Sequence, residues 1–320
     1  MNSHFARLDV SGWPFVRPET IGQSPAVWLR NPDRDNTTDH HWLFKPVEVH
    51  SNGTEQGGDW AEKAASEIAN LLDIPAAEVE LASWNGTRGS ISRNVKPEFW
   101  DMWSGRLWLD ANTEVSYSSA EASKSKRRNG ASKGYSLASI HKSLVPMGPP
   151  PGHSGSASLT GFGVFCTYLL LDALIANRDR HEDNWAVLVE TIGEPNPRLC
   201  HAFDHAGSLG YQLTDAGRQK MLDSEDGVNR WVRRGTAWRF EAPRDDKPES
   251  LVDLAWRAGK FAGEPTELAL AARIDLLTPT SVDAIFDCLE EMSVVARRFA
   301  KEVILTNAER IRDGYRNVST

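Results

Sequence analysis

The stretch Leu169-Leu170-Leu171-Asp172-Ala173-Leu174-Ile175-Ala176-Asn177-Arg178-Asp179-Arg180-His181-Glu182-Asp183-Asn184-Trp185-Ala186-Val187-Leu188 organises the reading of the whole chain. With Phe162, Val164, Phe165 and Tyr168 before it, the run is apolar nearly all round, which is the pattern of a buried helix. It empties into a polar knot, after which Trp185 to Val189 reads as a short strand. Inside the knot Asp179 and Asn184 stand five residues apart, with Arg178, Arg180 and His181 between or beside them. Further on, His201-Ala202-Phe203-Asp204-His205-Ala206-Gly207-Ser208-Leu209-Gly210 carries a second acid, Asp204, into glycines.

Two separated loops therefore each offer oxygen atoms just after an apolar element. A magnesium-nucleotide site needs that: a base and a metal ligand from one loop, a second ligand from a later acid. Such a site also needs a cation for the phosphates. His41-Trp42-Leu43-Phe44-Lys45-Pro46 reads as a strand, and Ala26 to Leu29 as the strand before it. Lys45 is either an edge-strand lysine facing water or the phosphate contact. After Gly57-Gly58, with Asp59 as N-cap, Trp60 to Leu72 has helical spacing. Its Glu62 either stabilises the helix N-terminus or pairs with Lys45.

Ala77–Ala82 and Gly89–Val95 read as strands around the hairpin turn Asn85-Gly86. The aromatic stretch at 97–111 suits a crossing between lobes. From Asn112 to Lys133 serine and basic residues dominate, among them Lys124, Lys126, Arg127, Arg128 and Lys133. That composition predicts a loop: a solvated one, a phosphate-regulated one, or a docking surface for an acidic partner. Met147 to Gly152 is a second break. Ser250–Phe261, Thr266–Leu277 and Ser281–Asn307 then read as helices. The sum is an α+β chain: a small β-rich lobe with one helix at 1–111, a flexible segment at 112–152, and a larger helical lobe at 153–320.

The 320 residues carry a net charge of −8, which gives no overall footprint for nucleic acid or an anionic membrane. No run approaches the roughly eighteen apolar residues of a membrane span, and no signal peptide is expected. Cys166, Cys200 and Cys288 match no metal spacing and read as buried free thiols, which suits a reducing, cytoplasmic setting.

Asn177 to Asn184 resembles the Asp-Arg-His-x-x-Asn catalytic loop of phosphatidylinositol kinases and the Asn-x-Asp-x-His-x-x-Asn form of the HipA-like bacterial serine/threonine kinases. Asp204 stands where the aspartate of the kinase Asp-Phe-Gly motif would, although this loop reads Asp-His-Ala-Gly. Trp42 to Pro46 and Trp60 to Ala69 are similar to the HipA-like strand and helix that carry the ATP lysine and its glutamate. The resemblance implies a bilobal protein-kinase-like fold that uses ATP and Mg²⁺. It makes Asp179 the base or positioning group, Asn184 and Asp204 the metal ligands, and Lys45 the phosphate contact held by Glu62. His181 would touch the γ-phosphate or brace the loop, and Arg178 and Arg180 would pair with carboxylates or bind a phosphorylated segment. Gly22, Gln23 and Ser24 stand where a phosphate-cradling turn belongs, without its Gly-x-Gly-x-x-Gly pattern. The stretch before the lysine strand is shorter than in HipA, so an antitoxin or regulatory partner has no support in the residues. The leading expectation is a Ser/Thr protein kinase, itself among its substrates. A lipid or small-molecule kinase and a nucleotide-binding pseudokinase are the alternatives.

Overall fold

The computed structural model describes residues 4–20, 25–35, 37–49, 53–120, 131–156, 158–242 and 247–316. Gly22, Gln23 and Ser24 lie outside the described residues, as do Lys124, Lys126, Arg127 and Arg128. The β-branched and aromatic runs of the first part become β1 (Leu8–Asp9), β2 (Phe15–Pro18), β3 (Val27–Arg30), β4 (His41–Pro46), β5 (Val79–Trp84) and β6 (Thr87–Arg93). They form one sheet in the order β1-β5-β6-β4-β3-β2, antiparallel except for β1 against β5. Asn85 and Gly86 both take left-handed φ, 49° and 76°, the backbone of a two-residue hairpin turn. Register places Lys45 opposite Ser90 in the middle of the sheet.

Helix α1 (Gly58–Leu71) packs on β5 and β6 through Ala61, Ala64, Ala65 and Ile68, all fully buried. Asp59 is not its N-cap. Gly57 holds that position, and Asp59 sits buried in the first turn, bound by Arg7 Nη2 at 2.8 Å and Arg88 Nε at 2.8 Å. Arg7 also donates to the carbonyls of Ala82 and Gly89 at 2.6 and 2.7 Å, and through Nε to Glu291 at 2.8 Å. One guanidinium thus ties the sheet, the start of α1 and the far end of the chain together.

The crossing out of this lobe is short. Glu98 N–H donates to Asp39 Oδ1 at 3.0 Å, while the Phe99 carbonyl accepts from the amide of Thr191 at 2.9 Å and its hydroxyl at 2.7 Å. Phe99 itself has φ +64°, a left-handed value rare for a bulky residue. Beyond it, β7 (Trp100–Ser104) pairs with β8 (Ala186–Glu190), which pairs with β9 (Arg198–Leu199). Helix α2 (Gly105–Ala111) packs on α3 (Leu137–Leu144) and β8. The 100–111 stretch, grouped with the first lobe from sequence, therefore hydrogen-bonds and packs with elements of the second.

The expected pillar is α4 (Gly161–Leu174), capped by the Thr160 side chain at the Gly163 amide and buried over its whole length. Burying side chains such as Phe162, Phe165, Leu169 and Leu171 contributes about 1.5–3 kcal/mol each. The lobe continues in α5 (Asp215–Leu222), α6 (Gly227–Arg233), α7 (Leu251–Ala262), α8 (Glu264–Asp275), α9 (Pro279–Phe286) and α10 (Val294–Arg316); α7, α8 and α10 pack on α4, α7 most extensively, and α5, α6 and α9 pack on α10. The helix expected at Ser281–Asn307 is two helices, broken between Phe286 and Val294. The three cysteines are buried free thiols. Among the described residues no helix is long and apolar enough to cross a membrane.

Candidate active site

Helix α4 ends in a turn that aims the polar knot. Ala176 takes φ +54°, and the Asn177 amide donates back to the Asp172 carbonyl at 2.9 Å, the closing bond of a Schellman motif. Asp172, the single charged residue of α4, then gathers the loop. Arg180 forks onto both its oxygens at 2.8 and 2.9 Å, and Asn177 Nδ2 donates to Oδ1 at 2.7 Å. Arg180 also donates to the carbonyl of Asn184 and to His205 Nε2 at 3.1 Å. The buried Asp172–Arg180 pair therefore joins the Asp179 loop to the Asp204 loop. Of the two arginines set aside for carboxylates, Arg180 pairs and Arg178 stands exposed.

The knot is also held internally. Asn177 Oδ1 accepts the Asp179 amide at 3.1 Å, and Asn184 Nδ2 donates to the Asp179 carbonyl at 2.7 Å. That bond leaves Asn184 Oδ1 as the oxygen available for a ligand. His181 Nδ1 accepts the Asp183 amide at 3.1 Å, so the neutral ring carries its proton on Nε2, 3.9 Å from Asp179 Oδ2. Burial lowers the His181 pKa, which favours that neutral ring. On the outer side Arg106 reaches Asp183 Oδ1 through Nε at 3.0 Å and Oδ2 through Nη2 at 2.6 Å, while buried Glu182 accepts from Tyr117 at 3.1 Å and Ser132 at 2.7 Å.

Across the cleft Lys45 Nζ lies 2.6 Å from Asp204 Oδ1, an ion pair between residues 159 apart in the chain. Asp204 takes φ +64°, a left-handed value uncommon outside glycine. Lys45 charge is the main cause lowering the Asp204 pKa. Burial opposes the charge on Lys45, but Asp204 and then Glu62 outweigh it and raise its pKa. The ion-pair partner of Lys45 is thus Asp204, and Glu62 acts on it through space. Glu62 Oε1 accepts the His205 amide at 2.8 Å, while Oε2 is buried without a hydrogen-bond partner. Burial pushes His205 down to about 3, so its ring stays neutral at pH 7 between Arg180 and Glu62.

Sequence reasoning missed one contact at the centre of the site. Arg239 Nε donates to Asp179 Oδ1 at 2.7 Å and the guanidinium lies 3.9 Å over the Trp238 ring. Nothing local marks Arg239, which stands 60 residues from its partner. Asp172 did carry a signal, as a lone acid in an apolar helix. Among the described residues, no cluster of three or more His, Cys, Asp or Glu stands ready for a metal by itself.

Two lobes, a β-sheet over a helical body, with a short crossing and two polar loops facing a lysine strand, make a bilobal kinase-like fold. Among solved structures, the proinflammatory kinase CtkA of Helicobacter pylori is similar over nearly its whole length: TM-score 0.71 at 17% identity, covering 97% of this chain and 96% of that one. HipA of Shewanella oneidensis MR-1, solved with HipB and operator DNA, gives TM-score 0.43 at 12% identity, covering 93% of this chain and 67% of that one. No family model and no curated protein matches the sequence.

Proposed function

We propose that this chain is an ATP- and Mg²⁺-dependent phosphotransferase that phosphorylates serine or threonine in protein, itself included. The observation that carries the reading is the Lys45–Asp204 contact across the cleft, with Asn184 and Asp179 on the loop beside it. Phosphoryl transfer asks little covalent chemistry of a protein; it needs positioning and charge neutralisation.

The donor set fits a hard cation. Asp204 offers a carboxylate and Asn184 an amide oxygen, the ligand types Mg²⁺ takes alongside phosphate oxygens and water. Held there by Asn184 and Asp204, Mg²⁺ would offset the negative charge of the nucleotide phosphates. Lys45 supplies a second positive charge on the same side. Glu62 Oε2, buried and unpartnered, is the acceptor Lys45 turns to when Asp204 is engaged elsewhere. Asp179 aligns the acceptor hydroxyl and receives its proton, with the His181 ring 3.9 Å from its Oδ2.

Purified protein incubated with γ-labelled ATP and Mg²⁺ should label itself. Asp204→Asn and Asp179→Asn should each slow labelling at least about 100-fold while melting close to wild type. A variant that labels at the wild-type rate ends this reading. Phosphoserine within residues 113–143 by mass spectrometry favours protein over a lipid or small-molecule acceptor.

A further inference from the structure

We propose that Arg239 is a positioning residue for Asp179 during phosphoryl transfer, an inference that rests on the kinase reading above. Both Arg239 contacts, from Nε and Nη2, fall on one oxygen, Asp179 Oδ1. Oδ2 faces the His181 side of the site and stays open to an acceptor hydroxyl. The backbone of Asp179 is already pinned by Asn177 and Asn184, so the remaining freedom is that of its side chain. Its side chain is 44% exposed, and carboxylate torsions are broad and two-fold. A two-point guanidinium contact on one oxygen removes that freedom and leaves the other oxygen for chemistry.

The same pair could be pictured as a cap that must leave before an acceptor binds, but the chain around Arg239 is fastened down. The Ala237 amide donates to the Glu249 carbonyl at 2.9 Å, and the Glu241 amide to the Tyr135 carbonyl at 2.7 Å. Phe240 packs on Tyr135 with ring centroids 4.7 Å apart, and the Tyr135 hydroxyl donates to the Arg180 carbonyl at 3.1 Å. The segment that carries Arg239 is therefore tied through Tyr135 to the Asp179 loop, and Trp238 backs the guanidinium. An element that moves with its target orients it; it does not swing off it.

The test compares self-labelling by full-length wild type and Arg239→Ala at saturating ATP, with the ATP dependence measured for each. Arg239→Ala should label about 100-fold more slowly, the loss expected from a misplaced reacting group, with its KM for ATP within about twofold of wild type. Millimolar ethylguanidinium should restore part of the rate, and Arg239→Lys should fall between the two. A variant as fast as wild type or faster, a loss that appears in the KM for ATP, or a loss that ethylguanidinium leaves untouched overturns the role of Arg239. A wild-type chain that transfers no phosphate takes down the kinase reading, and this inference with it.

Discussion

Asp172 shows how much a single side chain governs here. It balances Arg180, both are 2% exposed, and Arg180 in turn holds the Asn184 carbonyl and His205. Removing one partner of a buried pair leaves an uncompensated charge, which costs about 3–5 kcal/mol. Asp172→Ala should therefore lower stability by that order in urea titration and abolish labelling; a loss below about 1 kcal/mol would contradict the account of the network. His201 makes a pH prediction at the same scale. Burial, with the charge of His153 adding, pushes it down to about 4, while an unfolded histidine titrates near 6.5. Between those values the unfolded state binds the extra proton, so stability rises with pH. The contribution of His201 is complete above about pH 6.5 and fades as pH falls toward about 4. Urea midpoints at pH 7, 6 and 5 should drop in that order, less steeply for His201→Phe.

Strand β4 depends on a residue in its neighbour. A Cβ built on Gly89 would lie 2.2 Å from the Lys45 carbonyl oxygen, and backbone cannot step aside cheaply. Gly89→Ala should cost about 1–3 kcal/mol in thermal or urea unfolding and weaken binding of a fluorescent ATP analogue, because the strand that carries Lys45 is displaced. At this scale the sequence was readable wherever order is local. The period of α4, the Asn85-Gly86 turn and the order of the polar loops all lie within short windows. Asp59 read as an N-cap because Arg7 and Arg88, which claim its carboxylate, come from other strands and loops. The break before α10 was invisible because Leu289 and Met292 stay buried through it, so apolar spacing continues while the backbone turns. Arg239 escaped for the same reason as Arg7: a long-range ion pair leaves no periodic trace.

The sheet lobe and the helical lobe share a continuous buried core through α1, and Arg7 adds a polar clamp between them. Arg7→Ala removes bonds to Asp59, Glu291 and two sheet carbonyls at once. It should cost about 1–3 kcal/mol and speed amide exchange across 287–293, with β3 and β4 little changed; equal exchange in that segment would show that the clamp carries no load. The crossing at Phe99 has a further consequence. Glu98 bonds to the sheet lobe and the adjacent Phe99 carbonyl to the helical lobe, so the chain passes from one to the other at this step. Phe99 is wound there into a left-handed φ that a bulky residue holds at a cost of roughly 1–2 kcal/mol. A turn of one lobe against the other passes through this backbone, and the buried core that α1 shares with the helical body resists it.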